Sequence, residues 1–72
     1  MVEYEWQRVA RDLAQQIDSG RIRPGAALPG IVRLAKEYGV ADHTIRRALR
    51  SLREAGRIET LPHKGSFVSE QQ

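Results

Sequence analysis

Apolar residues recur at helical spacing near the start of the chain. Between residues 4 and 19 they stand three or four positions apart, at Trp6, Val9, Leu13 and Ile17. This is the pattern of an amphipathic helix that buries one face. Gly20 follows where a glycine commonly ends a helix. The pattern therefore predicts a first helix over residues 4–19.

Two further segments repeat this spacing on either side of a glycine. The first is about residues 31–38 and the second is about residues 42–55. Their apolar positions are Ile31, Leu34, Ala35 and Tyr38 in the first, and Ile45, Ala48, Leu49 and Leu52 in the second. A turn of three or four residues that contains Gly39 separates them. Two short helices joined by such a turn are typical of a helix-turn-helix.

After Gly56 the apolar residues no longer follow the helical spacing. Residues 57–61 and 66–68 have strand character, and the sequence Pro62-His63-Lys64-Gly65 between them is a turn signal. These segments predict a β-hairpin with a basic tip. The last residues, 69–72, are predicted to be a frayed tail.

These elements define a fold class that is mainly α with a small β-hairpin (α+β). The prediction is a winged helix-turn-helix, three helices plus a wing, with a recognition helix at about 42–55 and a wing at about 57–68. A length of 72 residues suits one small domain. We expect a single domain over residues 1–72 with no effector domain, and we favour a stand-alone winged helix over a fragment.

The composition argues against a disulfide-rich protein, a cysteine-ligated zinc protein and a membrane-spanning protein. There is no cysteine, so neither disulfides nor cysteine-ligated zinc can hold the core together. No apolar run approaches the roughly 20 residues of a membrane span, and no signal-peptide pattern opens the chain. We expect a cytoplasmic protein that does not bind a membrane.

The net charge of +3 is unevenly distributed. Residues 41–64 contain six basic and three acidic side chains, whereas residues 1–40 are nearly balanced. A basic region of this kind favours a polyanionic partner through phosphate neutralisation. A solvated helix face with no partner explains the charge equally well.

A series of short motifs runs through the chain in a fixed order. The motifs are Ile17-Asp18-Ser19-Gly20-Arg21-Ile22-Arg23-Pro24-Gly25, Leu28-Pro29, Leu34-Ala35, Gly39-Val40, Thr44-Ile45-Arg46-Arg47-Ala48-Leu49, Leu52, Gly56 and Gly65-Ser66-Phe67-Val68. Over about residues 4–68 the chain resembles the N-terminal DNA-binding domain of the GntR family of bacterial transcription regulators. The resemblance implies a third helix that enters the major groove and a wing on the adjacent minor groove or backbone. It also implies dimeric binding to palindromic operators and a larger C-terminal effector domain.

Two positions depart from the family's pattern. The resemblance implies DNA-contacting arginines at positions 32 and 42, where this chain has Val32 and Asp42. Arg33 lies one step on, about 100° around the helix, and does not simply substitute for the first. Only the third usual arginine, Arg46, is retained. The family's usual operator sequence should therefore not be assumed.

The candidate DNA contacts share one face of the predicted recognition helix. His43, Arg46, Arg47 and Arg50 lie three, four and seven positions apart. Arginine suits guanine O6 and N7 because its donors form a planar fork. Arg46 is predicted to contact a base or its surroundings, and Arg47 and Arg50 are predicted to contact phosphates. The alternative is that these arginines only make the helix soluble.

The remaining candidates have more than one interpretation. His43 can meet a base edge or be a plain polar residue, and Thr44 can meet a phosphate or a thymine methyl, or only start the helix. Asp42 is predicted to cap the recognition helix, with contact to cytosine N4 as the alternative. His63 and Lys64 at the wing tip are predicted to reach a phosphate or the minor groove. The predicted DNA-binding residues are Arg33, His43, Thr44, Arg46, Arg47, Arg50, His63, Lys64 and Gly65.

No catalytic or metal-binding motif is found, and two histidines twenty residues apart do not predict a metal site. We predict a protein that is not an enzyme and has no cofactor. The preferred function is a sequence-specific regulator of transcription, a repressor, that binds double-stranded DNA at a palindromic operator as a homodimer. The alternative is a winged-helix module for protein–protein interaction that has lost much of its DNA binding, which Val32 and Asp42 favour. A third interpretation is a non-specific nucleoid or plasmid-maintenance protein that contacts only the DNA backbone.

Overall fold

The protein is described by a computed structural model over residues 2–70, and within that range it forms three helices and a two-stranded antiparallel sheet. The elements are α1 (Glu5–Asp18), α2 (Ile31–Tyr38), α3 (Asp42–Glu54), β1 (Ile58–Leu61) and β2 (Gly65–Val68). The predicted winged helix-turn-helix is confirmed. Its helix and strand boundaries agree with the prediction to within one residue.

The three helices enclose one hydrophobic core. Both α1 and α2 pack on α3, and α3 also packs against β1. The core consists of the positions that carry the helical period, together with Leu28, Ile58 and Val68 from the connecting loop and the wing. Because α3 lies at the centre of this packing, its buried stripe fixes which of its residues remain exposed.

The backbone of the wing forms hydrogen bonds between its two strands and also with the loop before α2. In the hairpin Ile58 pairs with Val68 and Leu61 pairs with Gly65. The loop before α2 adds an isolated bridge from Ala27 to Phe67. Leu28 N donates to Ser66 O at 2.8 Å, and Val68 N donates to Ala26 O at 2.9 Å. The wing is thereby tied to the segment that leads into α2.

The start of α3 corrects one prediction. Asp42 does not cap the helix, because the N-cap residue is Ala41 and Asp42 already lies in the first helical position. Thr44 N and Ile45 N both donate to Ala41 O, at 3.0 and 3.3 Å. A capping side chain reaches the second or third helical amide from the residue before the helix, and that residue is an alanine. The Asp42 charge still lies at the positive end of the helix dipole.

The predicted frayed tail is also wrong in part. Ser69 is buried, and its amide donates to Arg57 O at 2.9 Å, which extends the pairing of the wing beyond β2. Gln71 and Gln72 lie outside the described residues.

A polar cluster joins α1 to α2. Tyr38 Oη donates to Asp12 Oδ2 at 2.5 Å, and Gln16 Nε2 donates to the same oxygen at 2.9 Å. Burial, followed by the hydrogen bond to the Asp12 carboxylate, raises the pKa of Tyr38 above its ordinary value. Over residues 2–70 no helix is long and apolar enough to cross a membrane.

Candidate nucleic-acid interface

The predicted contact residues of α3 lie on one exposed face. This face and the N-terminal end of α1 enclose a groove with a volume of about 590 Å³, which we call the α3 groove. The groove is lined by Tyr4, Glu5, Trp6, His43, Thr44, Arg46, Arg47, Arg50 and Arg53. The structure therefore brings together five of the predicted residues and adds Arg53.

The arginines of the groove have no carboxylate partner. Ion pairs within residues 2–70 join Arg11 to Glu3, Arg33 to Glu37 and Arg57 to Asp18. None involves an arginine of α3. Four positive charges on one helix face, against the single carboxylate of Glu5 in the groove, suit a polyanionic ligand.

Arg47 is held by an aromatic ring. Its guanidinium carbon lies 4.7 Å from the centroid of the Trp6 ring, which is within the range of a cation–π contact. Trp6 is half-buried and packs against the core. The sequence predicted Trp6 as a packing residue but gave no sign of this contact, because the two residues are forty-one positions apart.

Arg53 connects α3 to the wing. Its Nη1 donates to Thr60 Oγ1 on β1 at 3.1 Å, and Thr60 Oγ1 lies 2.9 Å from Ser66 Oγ on β2. Sequence reasoning missed Arg53 as a site residue. The signal was present, since Arg53 continues the series of Arg46 and Arg50 along α3 at helical spacing.

The wing tip presents its cations on a constrained turn. Lys64 N donates to Leu61 O at 3.1 Å, with Pro62 and His63 at the two central positions. His63 has a φ of +64°, a left-handed conformation uncommon for a residue with a side chain. Gly65, two residues on, has a φ of +105°, a conformation that glycine adopts readily, and its predicted DNA contact remains a prediction. His63 and Lys64 are both exposed.

Two of the predicted DNA-binding residues, Arg33 and Thr44, are less well placed to contact DNA. Arg33 pairs with Glu37 at 3.2 Å along α2 and does not line the α3 groove. Thr44 lines the groove but is only 7% exposed, so it offers little surface to a ligand. Both remain predictions.

Val32 and Asp42, the departures from the family pattern, lie close together. Both line a second, shallower concavity with Glu5, Lys36 and the turn after α2. Val32 is 61% exposed. This surface is apolar and acidic where the α3 groove is cationic.

Metal binding finds no support in the part of the chain that the structure describes. Residues 2–70 contain no group of three or more histidine, cysteine or carboxylate side chains that could hold an ion.

Comparison with known proteins decides the family. The family model described as bacterial regulatory proteins, gntR family, matches residues 6–68. The chain belongs to the GntR family. This membership confirms the predicted resemblance to a DNA-binding domain of bacterial transcription regulators.

Two relatives of this GntR domain are a named repressor and a named transcriptional regulator. The mannosyl-D-glycerate transport/metabolism system repressor MngR of Escherichia coli is 36% identical over 67 residues, covering 93% of this chain and 28% of its own. The regulator TreR of Bacillus subtilis is 38% identical over 60 residues, covering 83% of this chain and 25% of its own. The chain thus spans about a quarter of the length of these relatives.

A solved structure has the same fold. The crystal structure of AraR(DBD) in complex with operator ORR3 superposes with a TM-score of 0.91 at 28% identity, covering 96% of this chain and 83% of that one. In AraR this fold is therefore seen bound to an operator.

Proposed function

We propose that this GntR domain binds double-stranded operator DNA with the α3 face in the major groove and acts as a repressor in the cytoplasm. The observation that carries the proposal is the cluster of α3 arginines without carboxylate partners, next to a basic wing tip. Two similar proteins support it, because MngR is a repressor and AraR(DBD) is seen in complex with an operator.

The roles of the residues follow from their surroundings. Arg46 has no side-chain partner within residues 2–70 and is exposed, so its planar fork is free to meet guanine O6 and N7. Arg50 is likewise free, and Arg47 is held over Trp6. We assign Arg46 to a base and Arg47 and Arg50 to phosphates. His63 and Lys64 contact the backbone or minor groove beside them.

A homodimer on a palindromic operator follows from size. A single module of this kind buries roughly 600–1,000 Å² on DNA, which is the low end for specific complexes. Two copies related by a two-fold axis double that area and read two half-sites.

The test is fluorescence anisotropy on random duplex and genomic-fragment pools over a salt series, with Arg46→Ala beside the wild type. We expect affinity to fall with salt with a slope that indicates about three or more neutralised phosphates. Arg46→Ala should lose about 1–3 kcal/mol of discrimination between fragments. Absence of wild-type binding at low salt would contradict the proposal.

A second function has one observation in its favour. The concavity that contains Val32 and Asp42 presents apolar and acidic surface near the start of α3, which suits a protein partner better than DNA. If the domain is a protein-interaction module, Val32→Ser weakens partner binding while Arg46→Ala has no effect. DNA binding that depends on Arg46 but not on Val32 would exclude this alternative.

A further inference from the structure

A further cavity, separate from the α3 groove and from the concavity of Val32 and Asp42, lies between the recognition helix and the wing. It has a volume of about 350 Å³, and we call it the wing cleft. Its floor is apolar and includes Leu28, Ile31 and Leu49, and its rim carries Arg46, Arg53, Thr60 and Ser66. Gly65, next to the wing tip, also lines the cleft.

The position of the wing cleft is determined by the two elements that border it. Arg46 on α3 is assigned to the major groove, and the wing beside Gly65 is assigned to the minor groove or backbone. In a duplex, a sugar-phosphate backbone separates each major groove from the adjacent minor groove. A domain that contacts both grooves must therefore let one backbone strand pass over the wing cleft.

The rim of the cleft has the chemistry to hold that strand. Arg53 uses one guanidinium N–H on Thr60 Oγ1 and has no carboxylate partner in residues 2–70, so its charge and its other donors stay available. The hydroxyls of Thr60 and Ser66 are 2.9 Å apart. When Thr60 accepts from Arg53 and donates to Ser66, the Ser66 hydroxyl is left free to donate outward. Arginine, serine and threonine are the side chains that commonly meet phosphate oxygens.

We propose that the wing cleft seats one backbone phosphate of the bound duplex, held by Arg53 and by the Ser66 hydroxyl. The proposal rests on the proposed DNA-binding function and adds Arg53, Thr60 and Ser66 to the interface. The contact from Arg53 to Thr60 fixes the guanidinium before DNA arrives, so little side-chain freedom is lost on binding. Thr60 is thus a positioning residue, and Arg53 is the phosphate ligand.

The first experiment compares Arg53→Gln with Arg23→Gln, which removes the same charge from an exposed loop that borders neither the α3 groove nor the wing cleft. On a duplex selected by the wild type, we expect Arg53→Gln to weaken binding about five- to tenfold. It should lower the salt slope by about one and leave sequence preference unchanged. Arg23→Gln should leave both quantities near the wild-type values. Equal behaviour of the two variants overturns the proposal.

The second experiment locates the phosphate. Single phosphates of the duplex are replaced one at a time by neutral methylphosphonates, and each duplex is titrated with the wild type, Arg53→Gln and Thr60→Val. We expect one position at which the replacement weakens binding by the wild type and has a much smaller effect on Arg53→Gln, because only the Ser66 hydroxyl then holds that phosphate. At that position the loss of affinity should be intermediate for Thr60→Val. In this variant Arg53 keeps its charge, but its guanidinium has lost the hydrogen bond to Thr60.

The outcomes separate this inference from the function beneath it. If the wild type binds no duplex, both are wrong. If the wild type binds with Arg46-dependent selectivity but no phosphate position is coupled to Arg53, only the wing cleft proposal is overturned. Thermal unfolding of each variant shows whether a loss of binding reflects a loss of folded protein.

Discussion

The arginines of α3 differ in what holds them. Arg47 lies over the Trp6 ring, and Arg53 is tied to Thr60. Arg46 and Arg50 have no side-chain partner within the described part of the chain. A tethered guanidinium meets a phosphate at low entropic cost, whereas a free one can adjust to a base edge. The division supports phosphate contacts by Arg47 and Arg53, and it leaves Arg46 free to read a base as proposed.

The contact between Trp6 and Arg47 can be tested by a double-mutant cycle. Trp6→Leu should weaken DNA binding in the wild-type background because Arg47 loses its support, and it should have little effect once Arg47 is glutamine. We expect a coupling of about 0.5–1 kcal/mol, measured by anisotropy. Trp6→Phe keeps an aromatic face and should recover part of the loss. Strictly additive effects would show that Trp6 acts only through packing.

His63 is strained by its backbone conformation. The left-handed region costs a residue with a Cβ about 1–2 kcal/mol, and the greater chain entropy of glycine offsets about 0.5–1 kcal/mol. His63→Gly should therefore raise the free energy of unfolding by about 0.5–1 kcal/mol in urea titrations. His63→Ala keeps the strain and should give no gain. Both variants should bind DNA more weakly if the imidazole contacts the backbone, so a stable glycine variant with full affinity would remove His63 from the interface.

At the scale of the elements, the N-terminus of α3 has no side-chain cap. Its N-cap is Ala41, which supplies no side-chain acceptor for the amides of the first turn. Ala41→Ser should stabilise the domain by about 0.5–2 kcal/mol, with a higher Tm in calorimetry. Ala55→Ser, at the other end of the helix, is the control and should give no gain. No stabilisation by Ala41→Ser would mean that another group already satisfies these amides.

The sequence predicted the elements better than their connections. Helical spacing located all three helices, and Gly39 and Gly56 marked two of their ends, because these signals are local. The bridge from Ala27 to Phe67 was not predicted, since forty residues separate the strands that form it. Asp42 was given the cap because its residue type suits that role, but the backbone enters the helix one residue earlier.

Site prediction had the same limit. The shared face of Arg46, Arg47 and Arg50 follows from helix periodicity, and the structure brings these residues into one groove. The partners of Arg47 and Arg53, Trp6 and Thr60, come from other elements and depend on tertiary packing. Arg33 was included by residue type, and its ion pair with Glu37 was not foreseen; its DNA contact stays a prediction.

At the scale of the whole molecule, the cluster of Asp12, Gln16 and Tyr38 holds α1 against α2 and makes stability depend on pH. The pKa of Tyr38 is raised in the folded state, chiefly by burial, above an unfolded value of 10.0. The folded state therefore binds this proton more tightly, and its contribution is fully present below about pH 10 and is lost as the pH rises beyond that value.

Tyr38→Phe tests this dependence. At neutral pH we expect it to lower the free energy of unfolding by about 0.5–1.5 kcal/mol through the lost hydrogen bond. Above about pH 10 the wild type should lose stability faster than the variant, and the difference should shrink. Tyr4→Phe, at an exposed residue, should show a constant difference from the wild type in the same urea titrations. A Tyr38→Phe difference that does not change with pH would contradict the assignment.

The charge of the molecule is also divided in space. The α3 groove and the wing tip are cationic, and the concavity of Val32 and Asp42 beside them is apolar and acidic. The central claim is that DNA meets the first surface. The most direct measurement is a titration of the labelled domain with duplex selected from a random pool, followed by the chemical shifts of its backbone amides. We predict that the largest changes fall on the amides of residues 43–50 and 63–66, with Lys36 and Val40 little affected. Changes confined to the surface around Val32, or none at saturating duplex, would contradict the account.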